Sequence, residues 1–131
     1  MKAKTKTWFV GDPCYAIDDR DVWLRFCDHS FSRRGQALFT DPNTRISIWA
    51  RGTIFGDGTY HGKLGGCYGV DAGLIGVASV DHLGKRALGR LRSLGKLVEF
   101  SNSPRVTRRL GVIRIFDGEK LIDEIETSEP G

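Results

Sequence analysis

Hydrophobic and polar residues alternate along this chain with two different periods, and each change of period marks a new element. Residues 6–10, KTWFV, read as a short strand that Gly11-Asp12-Pro13 ends, because proline lacks an amide donor and fixes its own φ. In DDRDVWLRFCDH, Val22 and Phe26, and Trp23 and Cys27, stand four residues apart. That spacing predicts a helix of about ten residues that lays an apolar side on a sheet, with Asp18 or Asp19 as its cap and Asp21 near the positive end of its dipole. The period then falls to two. RISIWAR sets Ile46, Ile48 and Ala50 against Arg45, Ser47, Trp49 and Arg51, the mark of a strand with one buried face.

The remaining elements follow in the same way. GTIF extends that strand beyond Gly52, and GDG at 56–58 turns the chain into TYHG. CYGVDAGLIGVAS is apolar enough for a central strand, with Gly69, Gly73 and Gly76 marking bulges or close backbone approach. DHLGKRALGRLRSLGK carries Leu88, Leu91 and Leu94 at helical spacing, although Gly84, Gly89 and Gly95 each cost about 1 kcal/mol relative to alanine. KLVEFS, GVIRIF and EKLIDEIET read as strands, the last two joined by a tight turn at Asp117-Gly118. The sum is an α+β fold, a single domain over residues 1–131 with a mostly antiparallel sheet of about six or seven strands and one or two helices.

Composition narrows the class. A chain of 131 residues is long enough to bury about two thirds of its unfolded surface without a disulfide or metal. Its apolar fraction of 40% and charged fraction of 27% are ordinary for a soluble protein. No run approaches the ~18 apolar residues of a membrane helix, so no membrane partner is expected. MKAKTKTWFV has lysines but no apolar stretch of the signal-peptide kind, which points to the cytoplasm. The odd set Cys14, Cys27 and Cys67 favours free thiols there.

The net charge of +4 is unevenly spread. Between 85 and 109 stand Lys85, Arg86, Arg90, Arg92, Lys96, Arg105, Arg108 and Arg109 against Glu99 alone, while the tail carries Asp117, Glu119, Asp123, Glu124, Glu126 and Glu129. Such a basic segment either attracts phosphates or forms a solvated face neutralised by the acidic tail. A nucleic-acid polymer is a weaker candidate partner.

Three constellations carry candidate chemistry. Asp12, Asp57 and Asp71 each lie beside glycine at a strand end, where a carboxylate accepts backbone N–H bonds in a turn or, if the three converge, holds a hard cation or acts as a base. GDGTY lacks the acidic spacing of an EF-hand loop. Cys14 with His29, His61 or His82 would make a nucleophile and base, but Cys14 sits ahead of the helix cap, which favours a buried structural thiol. Zinc has no C-x-x-C knuckle to bind.

The third constellation is aromatic and basic. Tyr15, Trp49, Tyr60 and Tyr68 are candidates for stacking on a base, and Arg45, Arg51 and Lys63 for meeting phosphates. Trp49 is either displayed among cations on the polar face of its strand or covered by the second helix. Phosphate-loop, dinucleotide-binding and nucleophile-elbow motifs are missing, which removes NTPase, kinase and G-x-S-x-G hydrolase chemistry.

GDPCY followed by an acidic turn and W…C, then GDGTY, then VDAGLIG together resemble small, largely uncharacterised proteins carried by bacteriophages and their hosts, some grouped only as a domain of unknown function. The resemblance covers about residues 8 to 78, on positions Asp12, Cys14, Tyr15, Trp23, Gly56, Asp57, Tyr60, Asp71 and Gly73. It implies a sheet-rich phage accessory protein in the host cytoplasm and brings no established activity.

Three functions are expected to compete. The first is a non-enzymatic binding module for a small anionic, nucleotide-like signalling ligand, using Asp12, Tyr15, Arg45, Trp49, Arg51, Asp57, Tyr60, Lys63 and Asp71, with no catalytic residue, metal or cofactor. The second is a protein–protein inhibitor or structural accessory, acting on a host protein or as a homo-oligomer. The third is a metal-dependent hydrolase built on Asp12, Asp57 and Asp71.

Overall fold

Strand β1 (Lys6–Gly11) turns Trp8 and Val10 to one side and Phe9 to the other, and all three are buried. A strand apolar on both faces belongs inside a sheet covered on both sides. In the computed structural model, which describes residues 5–130, β1 is flanked by β6 (Leu74–Ser79) and β7 (Lys96–Phe100). Beyond β6 lie β3 (Ser47–Gly52) and β2 (Phe39–Thr40), giving the order β2-β3-β6-β1-β7 with every neighbouring pair antiparallel. The first four residues, on which the N-terminal reading partly rests, and Gly131 lie outside the described residues.

One face of this sheet is covered by helices α1 (Arg20–Ser30) and α2 (Lys85–Leu91), which enclose Phe9, Val22, Phe26, Ile48, Ala78 and Leu91. The other face is covered by strands. β8 (Pro104–Arg109), β9 (Val112–Asp117) and β10 (Lys120–Glu126) form a three-stranded antiparallel sheet, and β4 (Gly58–His61) pairs with β5 (Cys67–Val70) as a ribbon. Trp8, Val10, Tyr60, Tyr68, Val77 and Ile115 meet in this second core. The architecture is α+β, as the periodicity predicts, but the strands divide among sheets of five, three and two instead of forming one sheet of six or seven.

α1 shows how local sequence sets an element. Asp19 accepts from the amides of Asp21 (2.9 Å) and Val22 (3.3 Å), and Asp21 lies in the first turn, so the positive end of the helix is capped and charge-matched. Val22 and Phe26 are buried on the sheet. Arg25, on another side, grips the buried Asp41 carboxylate with two bonds, Nε at 2.6 Å and Nη2 at 3.2 Å, and ties the helix to the approach to β3. Arg25 and the Thr44 donors, outweighing burial, hold the Asp41 carboxyl well below the usual carboxylate value. A depressed folded pKa contributes stability above the unfolded value near 4 that is lost as pH falls. The apparent unfolding midpoint of Asp41→Asn, followed by circular dichroism from pH 5 to pH 2, is expected to start lower than wild type and to fall less steeply.

Three differences from the sequence expectation have physical causes. Residues 67–79 form two strands, because Asp71–Gly73 makes a turn in which Gly73 takes φ +68°, a conformation that costs glycine nothing. β3 stops at Gly52, and the GDG stretch makes no hairpin between β3 and β4; it carries the chain from one sheet to the β4–β5 ribbon. β8 was not expected as a strand. Its residues PRVTRR give the core only Pro104 and Val106, so its apolar signal is two residues deep. Among the described residues no helix is long and apolar enough to cross a membrane.

Candidate functional site

The three glycine-aspartate corners gather at one end of the five-stranded sheet. Asp12 follows the last residue of β1, and its fully buried carboxylate accepts from the amides of Cys14 (3.0 Å), Asp71 (2.9 Å) and Ala72 (2.7 Å). Asp71 in turn accepts from the Tyr15 hydroxyl at 2.6 Å. Asp57 lies over the same corner, 3.9 Å from where a Cβ on Gly73 would sit, while Thr53 donates its amide to the Gly73 carbonyl. Burial pushes the Asp12 carboxyl up, against the three amides that favour its charged form.

This arrangement spends the Asp12 and Asp71 carboxylates on the fold and leaves Asp57 exposed. Asp12 fastens the end of β1 to the β5–β6 turn, and Tyr15 fastens the following 3-10 turn (Pro13–Tyr15) to Asp71. Burial, and then Asp12, push the Cys14 thiol up, so the thiolate that a nucleophile needs is disfavoured. Burial and the Asp71 bond likewise raise the Tyr15 hydroxyl. Among the described residues no three His, Cys, Asp or Glu side chains come together closely enough to hold a metal ion.

The remaining sequence candidates scatter. Tyr60 is fully buried and donates its hydroxyl to the Gly56 carbonyl at 2.7 Å, so its ring presents no face to a ligand. Trp49 faces the three-stranded sheet: it is half-buried against the second core, neither displayed among cations nor covered by α2, and its Nε1 is buried without a hydrogen-bond partner. Lys63 pairs with Glu124 at 2.7 Å. Arg45 and Arg51 flank opposite ends of β3, about 20 Å apart along an extended strand, too far to share one phosphate. The basic stretch 85–109 is split in the same manner, because Leu91 of α2 enters the helix-side core and Val106 of β8 the opposite one.

Arg51 has a partner that the sequence did not single out. It shares a cavity of about 230 Å³ with Arg108, which reaches in from β8 and donates to the Gly52 carbonyl at 2.9 Å. Arg51 itself is half-buried and donates to the Val106 carbonyl (3.4 Å) and to Gln36 Oε1. Ser30 at the end of α1 and Ser32 and Gln36 after it complete the polar lining, and Leu74 is among the apolar residues there. Among the described residues neither arginine makes an ion pair with a carboxylate. Burial, then the neighbouring Arg108 charge, lower the Arg51 pKa. The cross-strand register puts Arg108 opposite Ile113, on the side of β8 that carries Val106, which directs its guanidinium to the Gly52 carbonyl of β3 while the residue stays exposed. Nothing local in RVTRR distinguishes Arg108 from Arg105 or Arg109; the alternation of β8 does, and β8 itself was unseen.

A second feature missed in the sequence is Asp123. Its buried carboxylate accepts from the amides of Leu64 (2.8 Å), Gly66 (3.2 Å) and Glu124 (2.9 Å) and from the Tyr68 hydroxyl, and Lys96 Nζ lies 3.6 Å away. This anchor is why the stretch after TYH is GKLGG: a Cβ on Gly62 would overlap the Asp123 carboxylate, and one on Gly66 the Tyr68 hydroxyl. Nearby, Ile54 and Phe55 bond Thr127 and stand more than half exposed, and Leu110, 86% exposed, takes φ +54°. Comparison with protein-family models, curated proteins and solved structures finds no match to this chain.

Proposed function

We propose that this chain is a non-enzymatic binding module that captures a small phosphate-bearing anion between Arg51 and Arg108. One observation carries the reading: two guanidiniums line a single cavity, one of them half-buried, with no carboxylate paired to either among the described residues. Two of the chain's buried carboxylates are paired with a cation, Asp41 with Arg25 and Asp123 with Lys96. Two like charges left facing each other cost free energy that an incoming anion recovers, and guanidiniums match phosphate oxygens in fork geometry. Holding without turnover fits a lining of arginines, serines and an amide, with no histidine or carboxylate among its residues. Sequestration of this kind agrees with the accessory role that the phage-protein resemblance implies.

The residues differ in part from those expected. Arg51 keeps its role, Arg108 takes the place of Arg45 and Lys63, and the aspartate corner supports the scaffold. Addition of pyrophosphate is expected to raise the melting temperature of the wild-type chain, since a ligand present at 100 times its Kd and bound only to the native state stabilises it by about 2.7 kcal/mol. Arg51→Gln and Arg108→Gln are each expected to lower affinity at least tenfold, while leaving the ligand-free protein as stable as wild type or more so. An unchanged melting temperature with phosphate and pyrophosphate at low salt would sink the reading.

A further inference from the structure

The cavity between Arg51 and Arg108 has two unlike ends. The arginines make one end positive. The other end is the C-terminus of α1, where Ser30, Phe31 and Ser32 line the same cavity. The last carbonyls of a helix carry partial negative charge. Here the Cys27 and His29 carbonyls are already occupied by the amides of Phe31 and Ser32 and by the hydroxyls of Ser30 (3.1 Å) and Ser32 (2.6 Å). A second anion is unwelcome at that end, and an uncharged group is not.

Phe31 stands at that rim with 90% of its surface exposed. Its position is held firmly. The 3-10 turn that follows (Arg33–Gln36) folds back under the helix end so closely that a Cβ on Gly35 would lie 2.6 Å from the Ser30 carbonyl oxygen. Gln36 at the end of that turn bonds Arg51 directly. Phe31 and the guanidinium are therefore joined through one short, hydrogen-bonded segment, which holds the backbone that carries the ring beside the anion site. At about 230 Å³ the cavity is smaller than the ~300–1,000 Å³ of sites that enclose a whole ligand. It has room for a phosphate and its sugar, and leaves the rest of the molecule at the rim, where Phe31 is.

Resting on the anion-site reading above, we infer that the ligand belongs to the nucleoside phosphates: its phosphate sits between Arg51 and Arg108, and its planar base stacks on Phe31. Stacking of a base on an aromatic side chain is sequence-tolerant and strengthens binding about five- to more than a hundredfold.

The test is calorimetric titration of the full chain with adenosine monophosphate, ribose 5-phosphate and inorganic phosphate. Adenosine monophosphate is expected to bind at least about tenfold more tightly than ribose 5-phosphate. Phe31→Ala should bring adenosine monophosphate down to the level of ribose 5-phosphate without altering ribose 5-phosphate itself, and Phe31→Tyr should restore the difference. Phe31 is exposed, so neither change disturbs the core. Equal affinity for the nucleotide and the sugar phosphate, or a nucleotide affinity indifferent to Phe31→Ala, overturns the inference while phosphate binding lost in Arg51→Gln still supports the anion site. Failure of all three compounds to bind overturns both.

Discussion

Replacing Asp123 with alanine is expected to cost about 3–5 kcal/mol of unfolding free energy, because it removes the single acceptor shared by a set of buried donors. Three amides, the Tyr68 hydroxyl and the Lys96 ammonium converge on this carboxylate. Water cannot replace it readily, since Asp123 and Tyr68 are both wholly enclosed. Burial pushes the Asp123 carboxyl up, but the Tyr68 hydroxyl, the Leu64 and Glu124 amides and the Lys96 charge outweigh it and hold it below the usual carboxylate value. Burial and the same bond push the Tyr68 hydroxyl up. Tyr68→Phe alone leaves the carboxylate its other donors and should cost about 1–2 kcal/mol. In the double variant Tyr68→Phe, Asp123→Ala no hydroxyl is stranded, so its loss should fall short of the sum of the two single losses, a coupling that urea unfolding of the four proteins measures. Additive losses would mean that the hydroxyl finds another partner.

A methyl group at Gly76 is expected to be nearly as damaging, at about 3 kcal/mol or more, although it adds only one carbon. Gly76 lies in β6 between Ala50 of β3 and Gly11 of β1, and a Cβ there would overlap the Trp49 carbonyl oxygen and press on Ala50. The atoms in the way are backbone, so relief requires parting β3 from β6 in the middle of the sheet. The same substitution at Gly89 in α2 meets nothing within 4 Å and should stabilise by about 0.5–1 kcal/mol through helix propensity. Thermal unfolding of Gly76→Ala and Gly89→Ala therefore separates close approach from conformational freedom, with opposite signs expected. A stable Gly76→Ala would show that the β3–β6 contact is looser than this packing requires.

Both predictions concern residues whose importance depends on partners far away in the chain, and this sets the limit of sequence reading. Local pattern was enough wherever an element is decided by its own residues. Asp19 and the pairs Val22/Phe26 and Trp23/Cys27 specify α1, and KLVEF, VIRIF and LIDEIE specify β7, β9 and β10 with the Asp117-Gly118 turn between the last two. Periodicity failed where the signal was shared or sparse. A turn at Asp71–Gly73 interrupts an apolar run without interrupting its hydrophobicity, and β8 has too few apolar residues to announce itself.

The aspartate corners occupy an intermediate position. Their glycines and carboxylates were legible as turns, and their meeting at one end of the sheet was legible as a possibility, but the donors that occupy Asp12 come from residues 71 and 72, some sixty positions on. The candidate anion site was half legible. Arg51 declares itself by alternation within β3, whereas Arg108 comes beside it only because β8 packs on β3 and brings that one arginine to the Gly52 carbonyl.

By itself, then, the amino-acid sequence determined the α+β class, the helix α1 that ends just before Phe31, most strands and the set of residues able to cap, turn or carry charge, because these depend on neighbours within a few positions. Only the tertiary structure decided which charges are neutralised and which are left facing each other. That outcome is a sum over contacts between β3, β8 and the segment after α1, and no local pattern encodes it.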